Sequence, residues 1–253
     1  MNKPLNIHFA ASSSDAAQNA LTALVARHGQ MPRDAADVIV ALGGDGFMLQ
    51  ILSEGTGLPV YGMNCGTIGF LMNDYSEMAL PERLAASEKA VIHPLAMRAQ
   101  TADGTLQEAL AINEVSMLRA GRQAAKLRIS VNGRVRMDEL VCDGAMVSTP
   151  AGSTAYNYSA QGPILPIGSD VLALTAIAPF RPRRWQGAIL PNTAVVRIDV
   201  LEADKRPVMA DADSRSVKPV LWVEIRSEPS LSHTILFDPG HGLEERLMRE
   251  QFA

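Results

Sequence analysis

The stretch Val38-Ile39-Val40-Ala41-Leu42-Gly43-Gly44-Asp45-Gly46 runs from an uninterrupted apolar segment directly into three glycines around one carboxylate. An apolar run of this kind is typical of a parallel strand that is covered on both faces. Glycines after such a strand let the backbone approach a ligand closely, and they leave the first amides of the next helix available to phosphate oxygens. The segment therefore predicts a strand, a turn and a helix, with Asp45 at the carboxyl edge of a parallel sheet, where ligands of such folds bind.

Short β-branched runs alternate with helical patterns on both sides of this segment, which indicates βαβ units. The sequence predicts strands at 5–10, 38–42 and 59–63 and helices at 15–28, 46–54 and 81–89. After about residue 92, predicted strands follow one another at short intervals, including 194–201 and 220–226. Within this part, Val131-Asn132-Gly133-Arg134 predicts a hairpin with a two-residue turn.

These patterns predict an α/β + β fold. We expect an N-terminal Rossmann-like parallel α/β domain that carries the GGDG turn over residues 1–91, and a mostly-β, β-sandwich-like domain over residues 92–236. The tail, residues 237–253, has a helical apolar pattern, and we expect this C-terminal helix to pack back on the body of the protein.

Composition limits the classes of function. The 253 residues carry a formal net charge of −4, which disfavours a nucleic-acid groove lined by clustered Lys and Arg. Residues 1–91 hold five basic and nine acidic side chains, so the whole acidic excess lies there. Two separated cysteines, Cys65 and Cys142, suggest a reduced, cytoplasmic setting. We expect no membrane segment and identify no metal ligands.

Familiar phosphate-binding loops are excluded by inspection. None of the five lysines follows a glycine, so there is no Walker A loop. The three Gly-x-Gly pairs, 44/46, 55/57 and 240/242, all lack the third glycine of a dinucleotide fingerprint. The chain is therefore neither a P-loop NTPase nor an ordinary Rossmann dehydrogenase.

Three further segments carry chemistry. Asn64-Cys65-Gly66-Thr67-Ile68-Gly69-Phe70-Leu71 again follows a predicted strand and combines glycines with an aromatic residue. In the second segment, Asn113 and Glu114 interrupt an apolar run, and an amide beside a carboxylate suits sugar hydroxyls. The third, residues 143–157, combines small hydroxyl residues with Tyr156, which could pack on a base.

In this order, the four segments resemble the ATP-dependent NAD kinase family, over most of the chain. The GGDG turn alone is shared with lipid kinases and 6-phosphofructokinases, whereas the ordered set is far more specific. The resemblance implies ATP as phosphoryl donor, Mg²⁺ or another divalent cation, NAD as acceptor, and a homodimer or homotetramer. It implies that Asp45 is the general base that takes the proton of the adenosine ribose 2′-hydroxyl.

The resemblance also implies a set of binding residues. Gly43, Gly44 and Gly46 would form the phosphate-donor loop, and Gly46 would also let NAD come close. Phe70 would line the adenine pocket, Asn113 and Glu114 would bind a ribose, and Asp143 would contact the nicotinamide carboxamide. The adenine and ribose pockets would be lined by Thr154, Ala155, Tyr156, Asn157 and Ser159. Backbone contacts to NAD are implied for Ala151 and Ala178.

The chain departs from the family pattern at phosphate-facing positions: Phe47 and Gln50 stand where many members have Thr and a basic residue. Asp211 and Asp213 fall where the family has an Asp-containing turn that can reach a neighbouring subunit's site; we interpret Asp211 as part of a hairpin turn. Two alternatives stay open: a lipid or diacylglycerol-type kinase that shares the GGDG turn, and a non-catalytic NAD(P)-binding sensor.

Overall fold

The computed structural model describes residues 5–66, 69–240, 242 and 245. The chain divides into two compact units. The first unit consists of the chain up to Ile92 together with the segment that begins at Ser232, and the second is His93–Leu231. The expected C-terminal helix lies almost wholly outside the described residues.

The described helices are α1 Asp15–His28, α2 Asp45–Ser53, α3 Leu80–Ala86 and α4 Tyr156–Ser159. The strands are β1 Ile7–Ala11, β2 Val38–Gly43, β3 Val60–Asn64, β4 Asn73–Asp74, β5 Glu88–Ile92, β6 Leu95–Thr101, β7 Leu106–Ala111, β8 Glu114–Arg119, β9 Ala125–Val131, β10 Arg134–Cys142, β11 Gly144–Ser148, β12 Val171–Ile177, β13 Gly187–Pro191, β14 Val196–Val200, β15 Val208–Ala212, β16 Arg215–Val217, β17 Val220–Ser227 and β18 His233–Phe237.

The first unit is a twisted α/β layer built on a sheet of order β1-β2-β3-β18-β5, with β4 paired to β3. β1, β2, β3 and β18 run parallel, and β5 is antiparallel to β18. All six residues of β2 are buried, as its uninterrupted apolar sequence predicts. α1 begins where the Ser14 hydroxyl accepts a hydrogen bond from the amide of Ala17, and it buries Ala17, Ala20 and Leu24 in the same core as β2. The expected parallel α/β domain is confirmed.

The sequence-based predictions are wrong for two strands of this sheet, β5 and β18. The predicted helix 81–89 ends at Ala86, and residues 88–92 form β5 instead. The strand β18, which we assigned to the second domain by placing a boundary at residue 236, pairs with β3 and β5 in the first sheet. Its partners lie far away along the chain, so its local apolar pattern could not reveal which sheet it completes.

Buried polar side chains fix β18 in place. The amide of Asn73 donates to the carbonyl oxygens of Gly62 and Leu236, and its own oxygen accepts from the amide of Asp238. The Asp238 carboxylate in turn accepts hydrogen bonds from the Tyr61 hydroxyl at 2.5 Å and from the Arg83 guanidinium. The end of β18 is therefore tied to β3, β4 and α3 by hydrogen bonds as well as by apolar packing.

The second unit contains two six-stranded antiparallel sheets. Their strand orders are β10-β9-β14-β17-β6-β7 and β13-β12-β11-β8-β15-β16. Alternating residues of both sheets enter one apolar core, so the unit is a β-sandwich as expected. The predicted hairpin is confirmed at β9–β10, where Asn132 and Gly133 have φ of 51° and 73°, as a two-residue type I′ turn requires.

Among the described helices, none combines the length and the apolar character that crossing a membrane requires.

Candidate functional site

In the first unit, the GGDG turn joins β2 to α2 as predicted. β2 ends at Gly43, Gly44 is the N-cap in an extended conformation, and α2 begins at Asp45. The carbonyl oxygen of Gly43 accepts a hydrogen bond of 2.8 Å from the amide of Cys65, just after β3. The turn therefore lies at the carboxyl edge of the parallel sheet, beside the loop that follows β3.

The carboxylate of Asp45 joins the two glycine-containing loops. Its Oδ2 accepts a hydrogen bond of 2.7 Å from the amide of Phe70, and its Oδ1 accepts one of 2.8 Å from the amide of Leu71. A Cβ at Gly69 would lie 2.7 Å from the Cγ of Met72 and 3.4 Å from Asp45 Oδ1, so this close approach needs a glycine. Two donors thus fix the orientation of the carboxylate, and two bonds still leave it with acceptor capacity, because an ionised carboxylate has about four lone-pair sites.

Gly44 and Gly46 face open space. A Cβ at either position would meet no atom of the chain within 4 Å. Neither glycine has a positive φ, so neither is required by backbone conformation or by internal packing. The space beside the first turn of α2 is therefore available for a ligand that approaches the backbone and the Asp45 carboxylate.

In the second unit, Asn113 and Glu114 lie where β7 has ended and β8 begins. The side-chain oxygen Oδ1 of Asn113 and the oxygen Oε2 of Glu114 are both buried without a hydrogen-bond partner. Buried polar atoms are normally paired, so two neighbouring orphaned acceptors indicate a place for an absent partner. Burial, followed by the nearby charge of Asp213, raises the pKa of Glu114 to about 8.

The segment 149–159 packs directly on this pair. The carbonyl oxygen of Asn113 accepts hydrogen bonds from the Thr149 amide at 2.9 Å and from the Ser148 hydroxyl at 3.2 Å. A Cβ at Gly152 would lie 2.3 Å from that same oxygen, so only glycine allows the contact. The structure thereby brings the turn Ala151–Thr154 against the Asn113–Glu114 pair.

Tyr156 begins α4 and is 37% exposed. Partial burial raises the pKa of its hydroxyl, and the charges of Glu114, Asp143 and Asp211 raise it further. Three carboxylates from separate strands and turns thus act on one phenol. Of the neighbouring predicted residues, Thr154 and Ala155 are half-buried and Ser159 is exposed.

Asp143 and Ala178 are neighbours at one end of the same sheet. The Asp143 amide donates to the carbonyl oxygen of Ile177, and the Asp143 carboxylate pairs with Arg119 at 2.5 Å. Ala178 is exposed and has a φ of 46°, a left-handed conformation that is costly for a residue with a Cβ. Arg119 was missed by sequence reasoning, because nothing in its local sequence marks it as the partner of Asp143.

Unlike the neighbouring predicted contacts, Asn157 has a fully buried side chain, which is 0% exposed. Its amide nitrogen donates to the carbonyl oxygens of Ser153 and Pro163, and its oxygen accepts a hydrogen bond of 2.6 Å from the Thr175 hydroxyl. The side chain is therefore committed to holding the 153–163 loop.

We expect Asn157→Ala to lower the free energy of unfolding by about 3 kcal/mol, because it leaves the buried carbonyl oxygen of Ser153 and the buried hydroxyl of Thr175 without their partner. Asn192→Ala, which removes an exposed amide bonded to Asp170, is the matched control and should cost at most about 0.5 kcal/mol. Urea unfolding of both variants measures the difference. Equal stability of the two variants would contradict the assignment.

The interpretation of Asp211 as part of a hairpin turn is wrong by a short distance, because Asp211 lies in the strand that leads into the turn. Asp211 lies in β15 and its carboxylate accepts a hydrogen bond from the Ser216 hydroxyl of β16. Asp213, in the turn between these strands, was not recognised as a site residue. Its carboxylate accepts hydrogen bonds from the backbone amides of Ile112, Asn113 and Glu114.

Within the described part of the chain, no group of three His, Cys, Asp or Glu side chains is placed to hold a metal ion.

Comparisons with known proteins agree with these features. Residues 5–90 match the model of the ATP-NAD kinase N-terminal domain, and residues 112–230 match that of the ATP-NAD kinase C-terminal domain. An NAD kinase from Cereibacter sphaeroides is 68% identical over 99% of both chains. One from Hyphomonas neptunium is 55% identical, again over 99% of both.

Two solved structures show the same fold. A yeast NADH kinase, crystallised with NADH, superposes with a TM-score of 0.85 at 18% identity, covering 99% of this chain and 88% of that one. An NAD kinase from Archaeoglobus fulgidus, in complex with ATP, gives a TM-score of 0.75 at 22% identity, covering 97% and 96%.

Proposed function

The chain belongs to the ATP-NAD kinase family, and on that premise we propose that it transfers the γ-phosphate of ATP to the 2′-hydroxyl of the adenosine ribose of NAD, giving NADP and ADP. The observation that carries the proposal is the Asp45 carboxylate, which two backbone amides orient beside the open space at Gly46. A hydroxyl that attacks phosphorus needs such a proton acceptor within hydrogen-bond reach.

In the proposed step, the ribose O–H bond breaks and its proton passes to Asp45. The oxygen forms a bond to the γ-phosphorus, and the bond between that phosphorus and the β,γ-bridging oxygen breaks, with its electron pair leaving on ADP. The chain's part in this transfer is to position the hydroxyl and to accept its proton.

The acceptor NAD would be held by the residues that the resemblance implies. The orphaned oxygens of Asn113 and Glu114 suit ribose hydroxyls, because each needs a partner that the protein does not supply. Tyr156, with Thr154, Ala155 and Ser159, would line the adenine and ribose pockets, and Phe70 would wall the adenine. Asp143 would meet the carboxamide, the backbones of Ala151 and Ala178 would add contacts, and Asn157 would hold the loop in shape.

ATP would approach the glycine turn. Amides at the start of α2 suit phosphate oxygens, and open space at Gly44 and Gly46 lets the polyphosphate come near the backbone. The first 91 residues carry an acidic excess, which repels a polyphosphate. We therefore propose that Mg²⁺ or another divalent cation arrives bound to ATP as part of the substrate and neutralises its charge.

The two alternatives make different demands on the site. A lipid kinase needs an apolar acceptor groove, whereas the Asn113–Glu114 pair presents buried polar acceptors. A non-catalytic sensor needs no proton acceptor, whereas Asp45 is intact and held by two donors. Both observations favour the kinase that acts on NAD.

Incubation of the purified protein with NAD, ATP and Mg²⁺, followed by an enzymatic assay for NADP, tests the proposal. We expect NADP only when all three are present, and none when EDTA exceeds the metal. Phosphorylation of diacylglycerol without NADP would favour the lipid kinase. Binding of NAD without any product would favour the sensor.

We further propose a cytoplasmic location and a homodimeric or homotetrameric assembly. Both cysteines are free, which suits a reducing compartment. Light scattering coupled to size-exclusion chromatography measures the assembly, and a mass of one chain would exclude it.

A further inference from the structure

Asp213 holds a three-residue segment of main chain. Its Oδ2 accepts a hydrogen bond of 2.6 Å from the amide of Ile112, and its Oδ1 accepts bonds of 3.0 Å and 3.3 Å from the amides of Asn113 and Glu114. Its own amide donates to the carbonyl oxygen of Glu114 at 3.2 Å. One residue of the β15–β16 turn therefore makes four hydrogen bonds to the segment that carries the Asn113–Glu114 pair.

The backbone of Asp213 has a turn conformation. Its φ is 50°, in the left-handed region, which Asp adopts more readily than most residues with a side chain. The turn holds this conformation, and it places the carboxylate beneath three consecutive amides.

The choice of a carboxylate here is costly for stability. Burial raises the pKa of Asp213, although the three amides that it accepts from act in the opposite direction. Glu114, a second buried carboxyl group, lies beside it, and like charges in one buried site disfavour each other. An uncharged side chain could accept from these amides without repelling the Glu114 carboxylate. The use of a second buried carboxylate at Asp213 therefore indicates a role beyond stabilising the fold.

We infer that Asp213 is a positioning residue for the acceptor substrate: through the main chain of residues 112–114 it aims the orphaned oxygens of Asn113 and Glu114 at a ribose of the dinucleotide. The inference rests on the proposed function, since it assigns a role in binding NAD. It adds a residue whose side chain touches the Asn113–Glu114 backbone and acts through that pair.

A second consequence concerns the proton on Glu114. Among the described residues, two titratable groups interact electrostatically with Glu114. The charge of Asp213 raises the pKa of Glu114, and the charge of Glu114 raises the pKa of Tyr156, so Tyr156 stays neutral. With a pKa of about 8, Glu114 is protonated at neutral pH and meets the anionic dinucleotide without repulsion. The protonated group can donate one hydrogen bond to a ribose diol and accept another.

The test measures kcat and KM for NAD and for ATP over pH 6 to 9.5 in the wild type, Asp213→Asn and Glu114→Gln. In the wild type we expect kcat/KM for NAD to fall as pH rises through about 8, because Glu114 loses its proton. Asp213→Asn should raise KM for NAD about tenfold with little change in kcat or in KM for ATP. Removing the Asp213 charge should also move the fall to lower pH. Glu114→Gln should abolish the fall.

Asp103→Asn is the matched control, because Asp103 also caps a hairpin turn by accepting an amide, in this case that of Thr105, but is exposed. We expect wild-type kinetics from Asp103→Asn.

If Asp213→Asn lowers the melting temperature but leaves KM for NAD and the pH profile unchanged, the role of Asp213 is only structural and the inference is wrong. If Asp213→Asn does not fold, persistence of the alkaline fall in Glu114→Gln overturns the inference by itself. Absence of NADP formation by the wild type would instead refute the proposed function.

Discussion

Asp45→Asn is expected to lower kcat for NADP formation about a thousandfold while NAD still binds. The substitution keeps the size of the side chain and one acceptor oxygen, but it removes the group that takes the proton of the ribose hydroxyl. It also replaces one acceptor of the Phe70 or Leu71 amide by a donor, so we expect a loss of about 1–3 kcal/mol in the free energy of unfolding. Steady-state kinetics, calorimetric titration with NAD and urea unfolding measure the three effects separately.

Asp74→Asn is the control for this experiment. Asp74 is an exposed acidic residue of the same unit, at the end of β4, so its loss changes the net charge by the same amount. We expect its kcat to stay within about twofold of the wild type, because isolated surface charges contribute little. If Asp45→Asn retained a tenth or more of the wild-type kcat, Asp45 could not be the general base.

Substitution of Gly46 is expected to separate activity from stability. An alanine at this second position of α2 would meet no atom of the chain within 4 Å, and Ala is favoured over Gly in a helix by about 0.5–1 kcal/mol. Gly46→Ala should therefore stabilise the fold slightly. In the proposed complex, however, the same Cβ occupies space that the ligand needs.

For the bulkier Gly46→Val we expect kcat/KM for NADP formation to fall about a hundredfold, since displacing a substrate by about an ångström can cost that much. Gly46→Ala should give a smaller loss in the same direction. Ser53→Ala, at the exposed last residue of α2, is the control: it raises helix propensity and should leave the kinetics unchanged. Full activity of Gly46→Val would show that the ligand does not approach this turn.

Much of the first unit could be predicted because its signals are local. α1 is found at its predicted bounds, and β2 and α2 each differ from prediction by one residue, because a cap residue and an uninterrupted apolar run are visible within a dozen residues. The β9–β10 hairpin was predictable for the same reason. Local signals end with the secondary structure, however, and the sheet partners of β18 depend on residues far away in the chain.

Candidate site residues could be named from the sequence to the same extent. The resemblance pointed to Asp45, Asn113 and Glu114. In the structure two backbone amides hold the Asp45 carboxylate, and one side-chain oxygen each of Asn113 and Glu114 is buried without a hydrogen-bond partner. The resemblance did not reveal that Asp213 supports the pair from a hundred residues away, nor that the Asn157 side chain is already fully bonded. Both depend on which loops meet in space, and a composition of small and polar residues does not encode that.

The late arrival of β18 sets an order of events during synthesis on the ribosome. The second unit is one continuous segment, so it can fold as soon as it has emerged, whereas the first sheet stays open between β3 and β5 until His233–Phe237 follows. At about 5–20 residues per second, that wait is on the order of ten seconds. Until β18 is added, the strand that leads to Asp45 belongs to an incomplete sheet with an exposed edge. Partly folded chains with exposed sheet edges are the kind that chaperones bind. A chain whose translation stops early therefore lacks a finished first unit, and the unit that carries Asp45 is the last part of the protein to mature.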